Sequence, residues 1–405
     1  MSDHRAAEAG PAVLLLSGEP CRYEYRVIRT AHILGAQGLS VTVVCRQAPG
    51  APDHERRDGV EYVRIPLCLS GPSGPLRDRG ITAVLNRAYE IEAYYANARG
   101  IVDHVAPAAV HVFGLVPLLA GTRIARERNL PLIYDSPELE MDRAARYAKP
   151  LLWYRRYRES QFIGRADAVL TASDSIAETL SARYGIADIR VLPNAPIDDG
   201  EAAETTVRRR LDLAPETPLG VYVGAIRPWR GLELIIEALA HAPNVHVAAV
   251  GPRQEASTAA LSALAVRRRV NQRLHFLDPV DPATLPGFVG DADFGFCLSE
   301  DICLSYRLSL PNKLFQYAFA GLPAIVSDLP EMAAFVERWG CGAVLRERSG
   351  ESLGALMTRL GGAGGAGGRM PPETVRQIRD RFGLRPQTET LVEIYRRLGI
   401  PDARG

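Results

Sequence analysis

Short apolar runs without polar interruption, spaced by helix-length segments, constrain this chain more than any other feature. Residues 13–17 (VLLLS) close on Gly18, and residues 41–45 (VTVVC) follow a helical pattern at 26–37 whose apolar face carries Val27, Ala31, Ile33 and Leu34. Strands that alternate apolar and polar residues have one wet face. Uninterrupted ones are buried on both faces, which calls for a parallel sheet covered by helices. Further strands are expected at 60–65, 109–113, 132–134, 168–172 and 190–192, with helices between them, for example at 118–128 and 174–184. A polar, acidic stretch at 196–206 interrupts the pattern. It restarts with strands at 219–223, 245–250, 274–277, 292–298, 323–327 and 342–345 and a helix at 232–240. The expected fold class is α/β: two doubly wound domains in tandem. The expected bounds are a disordered lead-in at 1–10, a first domain at 11–195, a linker at 196–207, a second domain at 208–372 and a C-terminal helical segment at 373–405. The LGGAGGAGG stretch at 360–368 is expected as a mobile surface loop.

Composition excludes several classes of function. A net charge of +1 over 405 residues argues against a nucleic-acid partner. No apolar run reaches the ~20 residues that span a bilayer. The opening MSDHRAAEAG lacks the basic start and apolar core of a secretion signal. Cys21, Cys45, Cys68, Cys297, Cys303 and Cys341 are scattered, with no CxxC pair and no Cys/His cluster. They read as reduced thiols of a cytoplasmic protein, and no metal site is expected.

In open α/β sheets, ligands sit beyond the carboxyl ends of the strands, so the βα loops carry the chemistry. Two loops stand out. YVGAIRPWRGLE at 222–233 places Gly224, Arg227 and Arg230 between a strand and Gly231, which opens a helix. Glycine permits close backbone approach to a ligand, and arginines at a helix start recognise phosphate; a capped turn with solvated arginines is the plainer alternative. SYRLSLPNKLFQYAFAGLPAIVSDLPE at 305–331 starts a helix after Leu310-Pro311-Asn312 and carries Lys313, one of two lysines in the chain beside Lys149. A lysine kept against so strong an arginine bias suits a phosphate site at a helix N-terminus; a buried αβ unit with a stray lysine fits the spacing equally well. A third segment, 143–158, is basic with Trp153, Tyr154 and Tyr157 interleaved. Docking on an anionic membrane is conceivable there, but Pro150 is expected to break the helix and a solvated face is the favoured reading.

There is no GxSxG elbow and no GxxxxGK[ST] loop, and the first βα turn reads Ser17-Gly18-Glu19-Pro20 rather than a dinucleotide fingerprint. What does occur, in order, is GAIRPWRGLELIIEAL, VAAVGP, HFLDPV, DADFGFCLS and LPNKLFQYAFAGLPAIVSDLPE, preceded more loosely by YDSPEL, ADAVLTAS and VLPNAP. This series resembles the retaining family 4 glycosyltransferases of the GT-B fold over nearly the whole chain. The resemblance implies two Rossmann-like domains facing a cleft, with a last helix crossing back to the first domain.

The resemblance also implies a UDP- or GDP-sugar donor on the second domain, near Gly224, Arg227, Arg230, Gly251, Leu277, Pro279, Leu310, Pro311, Asn312, Lys313 and Gln316. A small-molecule acceptor falls to the first domain, near Gly18, Phe113, Gly114 and Glu138. Arg230 and Lys313 are the catalytic candidates, stabilising the departing diphosphate in place of a metal, so no cofactor is expected. Glu138 is read slightly more readily as a helix cap than as an acceptor contact. Three departures matter: Gln316 stands where the family has a ribose-binding Glu, Leu308 where a second Glu would fall, and Phe113 where relatives carry a His beside the donor sugar. Phe113 motivates an altered sugar around C6 or a thiol acceptor. The expected role is biosynthesis of a natural product or thiol glycoside by a monomer or homodimer. Polysaccharide or glycolipid assembly, a nucleotide-sugar epimerase and a non-catalytic sugar-nucleotide-binding partner are the alternatives.

Overall fold

The computed structural model of the chain describes residues 10–21, 24–48, 50–66, 80–143, 149–197, 203–362 and 368–400. Most of the lead-in, part of the linker, the centre of the glycine-rich loop, Cys68 and residues 144–148 lie outside them. The chain divides into two compact units, Met1–Pro193 with Gln387–Gly405, and Asn194–Pro386.

The first unit is built on an eight-stranded sheet: β1 (Ala12–Ser17), β2 (Ser40–Arg46), β3 (His54–Arg57), β4 (Val60–Ile65), β5 (Ala109–Phe113), β6 (Leu132–Ser136), β7 (Ala168–Thr171) and β8 (Ile189–Val191). Their order is β3-β4-β2-β1-β5-β6-β7-β8. All neighbours run parallel except β3, which pairs antiparallel with β4. The sequence pattern missed β3 because its residues, HERR, are polar and lie on an open edge, where no apolar run is needed. The central strands are buried end to end, as in β5, where Ala109 through Phe113 are all inside.

Two helices of this unit bear on expectation. Gly80–Val105 fills the gap between β4 and β5, where a helix was expected without bounds. Its inner face, Ile91, Tyr94, Tyr95, Ala98 and Val102, follows helical spacing, but tyrosines supply much of it. Pro150 does not break the helix of the basic segment. It sits in the first turn of Lys149–Phe162, where its missing N–H leaves no unmade bond. The C-terminal region is two helices, Pro372–Phe382 and Leu384–Arg397, on either side of Gly383. Tyr395 of the second is buried in the first unit, and Arg397 pairs with Asp188 at 2.8 Å. Phe382 of the first packs against Phe315 and Phe335 in the second unit.

The second unit holds six parallel strands: β9 (Leu219–Val223), β10 (His246–Val250), β11 (Leu274–Leu277), β12 (Phe294–Cys297), β13 (Ala324–Ser327) and β14 (Gly342–Leu345), in the order β11-β10-β9-β12-β13-β14. Alternate residues of β9 feed separate cores. Leu219, Val221 and Val223 join Val326, Phe315 and Met332 on one face. Tyr222 joins Phe294, Phe296 and Ile325 on the other. Burial on both faces is what the uninterrupted apolar runs require. Where β9 and β12 end, side by side in the sheet centre, the polar loops begin.

Candidate functional site

Three cations converge in the second unit. Gly224 ends β9 and its N–H donates to Val250 O at 2.9 Å, which fixes the loop beside β10. The loop then holds Arg227, Trp229 and Arg230 before Gly231 caps the helix Leu232–Leu239. Lys313 arrives from the helix Asn312–Phe319, whose N-cap is Pro311. Its Nζ lies 3.4 Å from where a side chain on Gly224 would begin and 3.8 Å from the centre of the Tyr222 ring. Arg230 stacks at 5.2 Å over Tyr306. Among the described residues, neither Lys313, Arg227 nor Arg230 has a carboxylate partner.

Burial makes this arrangement costly for the ammonium. Desolvation is the main cause that brings the Lys313 pKa down to about 7, and the charges of Arg230 and Arg227 push the same way against Cys297. Three cations without carboxylate partners, one of them with a strongly lowered pKa, form a candidate site for a polyanionic ligand.

Two backbone features shape the loop. Gly251, with φ +150, would place a Cβ 2.2 Å from Gly224 O, so only glycine lets β9 and β10 end this close together. Trp229 adopts φ 64 without being glycine and keeps 46% of its surface exposed. A left-handed conformation at a bulky exposed residue costs on the order of 1–3 kcal/mol and is characteristic of ligand-binding loops.

The remaining donor-side candidates surround this cluster in sequence and in the sheet. Gly251 N–H donates to Leu277 O at 3.2 Å, and Pro279 is exposed in the loop after β11. Leu310, Pro311 and Asn312 are half-buried ahead of Lys313, and Gln316 is buried one turn after it. Tyr222, Tyr306 and Trp229 were missed by sequence reasoning, although all three lie inside the quoted segments 222–233 and 305–331.

In the first unit, Gly18, Phe113, Gly114 and Glu138 all line one cavity of about 320 Å³. Charged side chains dominate its wall. Glu138 pairs with Arg143 at 2.9 Å, and Arg143 and Arg155 both reach Glu140, at 3.4 and 3.0 Å. Glu138 is therefore not the helix cap it was slightly favoured to be; the next helix in the described residues starts at Lys149. Glu24 and Arg46 also line the cavity, and among the described residues their charged groups have no partner. Burial, with Glu19 and Glu138 nearby, raises the Glu24 carboxyl to about 7.

Phe113 stacks face to face on His111, centroids 4.6 Å apart and planes 8° apart. His111 is fully buried, within 3.1 Å of the Tyr395 hydroxyl and 3.9 Å of Asp135. Burial lowers its pKa, against the pull of Asp135. Arg26 lines the cavity too, but its guanidinium is consumed by Asp135 (2.7 Å), Leu192 O (2.7 Å) and Thr171 O (3.2 Å). Burial alone would raise the Asp135 carboxyl; Arg26 and His111 outweigh it and hold it at about 2.

Comparison with known proteins identifies the family. Residues 23–195 match the family described as Glycosyl transferase 4-like domain, and residues 217–361 match Glycosyl transferases group 1. A D-inositol 3-phosphate glycosyltransferase of Xylanimonas cellulosilytica is 24% identical over 315 residues, which is 70% of this chain and 74% of that protein. Among solved structures, a sucrose-phosphate synthase from Thermosynechococcus elongatus superposes with a TM-score of 0.75 at 18% identity, covering 96% of this chain and 99% of that one. Anabaena HepE, solved with UDP and glucose, gives 0.67 at 14% identity, covering 95% and 98%. With both halves matched and GT-B neighbours aligned along its length, the chain belongs to the family 4 glycosyltransferases of the GT-B fold.

Proposed function

We propose that the chain transfers a sugar, with retention, from a UDP- or GDP-linked donor to a small hydroxylated or thiol-bearing acceptor. The observation that carries this reading is the unpaired cation cluster of Lys313, Arg230 and Arg227 around Gly224. A donor diphosphate supplies the negative charge that this cluster lacks. Neighbours of the same fold were solved with UDP and with UDP-glucose.

In the transfer, the bond from the anomeric carbon to the diphosphate oxygen breaks and its electron pair leaves with the diphosphate. Lys313 and Arg230 neutralise that charge as it develops. The acceptor bonds to the anomeric carbon, and its proton passes to the departing phosphate. No metal or other cofactor enters this reading, because the cations supply the charge. The first-unit cavity supports a polar acceptor, through Arg46 and Glu24, and the curated relatives are named for a phosphorylated inositol. Phe113 offers no hydrogen bond at that cavity, which favours a sugar altered around C6 or an acceptor that gives up its proton readily.

The test is release of nucleoside diphosphate from a panel of UDP- and GDP-sugars, with and without acceptors. Lys313→Ala should lower turnover by about 10²–10³-fold, the scale for losing one stabiliser of a departing anion, with little loss of folding. Wild-type rates in that variant would refute the role. A strong preference for donors with an ordinary C6 hydroxymethyl would remove the altered-sugar option.

A further inference from the structure

The helix Lys149–Phe162 presents an unusual outer face. Its exposed residues are Lys149, Pro150, Trp153, Arg156, Tyr157, Ser160 and Gln161, and no carboxylate lies among them. The helix does contain one acid, Glu159, but it is 1% exposed and hydrogen-bonded to Tyr184. Arg155 is also turned inward, to Glu140. The outer charge is therefore all positive: Lys149, Arg156 and the half-buried Arg158, with Arg165 in the turn that follows. Among the described residues, Lys149 and Arg156 make no ion pair.

Between these cations stand two aromatic rings that solvent reaches freely. Trp153 is 69% exposed and Tyr157 50%, and they stack in parallel with centroids 5.7 Å apart. Tryptophan is rarely left so open in a folded protein. The neighbouring helix Gly80–Val105, which packs against this one, adds Leu85 at 62% and Tyr89 at 49%. Apolar rings interleaved with unopposed lysine and arginine match the interface of a bilayer. There Trp and Tyr settle at headgroup level and basic side chains meet anionic lipid. A protein partner that recognised this charge would be expected to meet carboxylates here, and none stands among the exposed residues of this helix.

We infer that this face of the first unit docks on an anionic lipid bilayer. The same two helices wall the cavity, through Arg87 and Glu90 on one and Arg155 on the other. Docking would therefore keep the cavity close to the membrane surface. The docking itself does not depend on the proposed transfer reaction.

The experiment is co-sedimentation of the purified full chain with vesicles of phosphatidylcholine alone or mixed with phosphatidylglycerol, in low and high salt. Binding is expected with the anionic vesicles and should weaken as salt rises. Each basic residue at such a surface is worth roughly 5-fold in affinity, so a Lys149→Glu, Arg156→Glu double variant should bind on the order of 25-fold more weakly or worse. Trp153→Ser with Tyr157→Ser should reduce binding at every salt concentration. All four side chains are exposed, so melting profiles should not change. Failure of the wild type to sediment with anionic vesicles, or equal binding by both double variants, overturns the inference. So does a wild-type dimer that the aromatic variant splits while vesicles bind neither, since the face would then join two copies. Nucleoside diphosphate release plays no part in these readouts, so their failure leaves the transferase reading standing.

Discussion

A lysine with a pKa of about 7 cannot be fully charged in the empty protein at neutral pH, and a diphosphate beside it would recharge it. Donor binding should therefore take up a proton. For a pKa near 7, Lys313 is ~0.5 neutral at pH 7 and ~0.9 neutral at pH 8, against an ordinary lysine near 10.4. The nucleotide's terminal phosphate, with a second pKa of ≈ 6, is already ionised at pH 8 and takes up nothing there. UDP or GDP binding at pH 8 should thus absorb close to one proton per site, and affinity should fall almost tenfold per pH unit above it.

Titration calorimetry in two buffers of very different ionisation enthalpy measures that proton directly. In Lys313→Arg the site stays charged throughout, so the uptake should vanish and the pH slope should flatten. Identical binding heats in both buffers for the wild type at pH 8 would show that Lys313 is not the group recharged. The same shift has a consequence for the empty protein. Its folded pKa lies below the unfolded one, so unfolding takes up a proton between pH 7 and about 10.4, and this group makes the fold more stable as pH rises through that window.

Three further outcomes follow from the geometry. Gly251→Ala, with its Cβ set against Gly224 O at 2.2 Å, should cost about 1–3 kcal/mol in denaturant unfolding and weaken nucleotide binding; an unchanged midpoint would show that the loop yields freely. Arg26→Met strands Asp135 in the interior and should cost about 3–5 kcal/mol, measured by guanidinium unfolding, with a loss below 1 kcal/mol counting against the buried pair. Glu24→Gln should raise the unfolding midpoint at pH 8 and converge with wild type only towards about pH 4. The Glu24 carboxyl has a folded pKa of about 7, above its unfolded value of about 4.5, so the penalty grows as pH rises from about 4.5 to 7 and is full above that; parallel pH profiles would contradict this.

The sheets were readable because strands buried on both faces must be mostly apolar, and β1, β2, β5 and β9 are. β3 was not, since an edge strand with exposed side chains leaves no such trace. Lys313 announced itself by rarity. Tyr222 and Tyr306 could not, because a ring becomes a neighbour of a cation only once the loops are folded together. Arg26 looked like one arginine among many; its partners Asp135 and Leu192 lie 109 and 166 residues away. The basic segment was legible as composition. Its direction was not: the helix Lys149–Phe162 carries four cations and an acid, and the fold turns the acid and one cation inward.

The first unit is interrupted in the chain by the whole of the second, since Gln387–Gly405 joins Met1–Pro193. On a ribosome adding roughly 5–20 residues per second, the segment from Asn194 to Pro386 takes on the order of 10–40 s to emerge. For that time the first unit has His111 and the end of its sheet without Tyr395, Leu391 and Ile394 to cover them. The second unit can close while the first waits. A nascent chain of this design leaves that part of the first unit uncovered until Gln387–Gly405 has emerged.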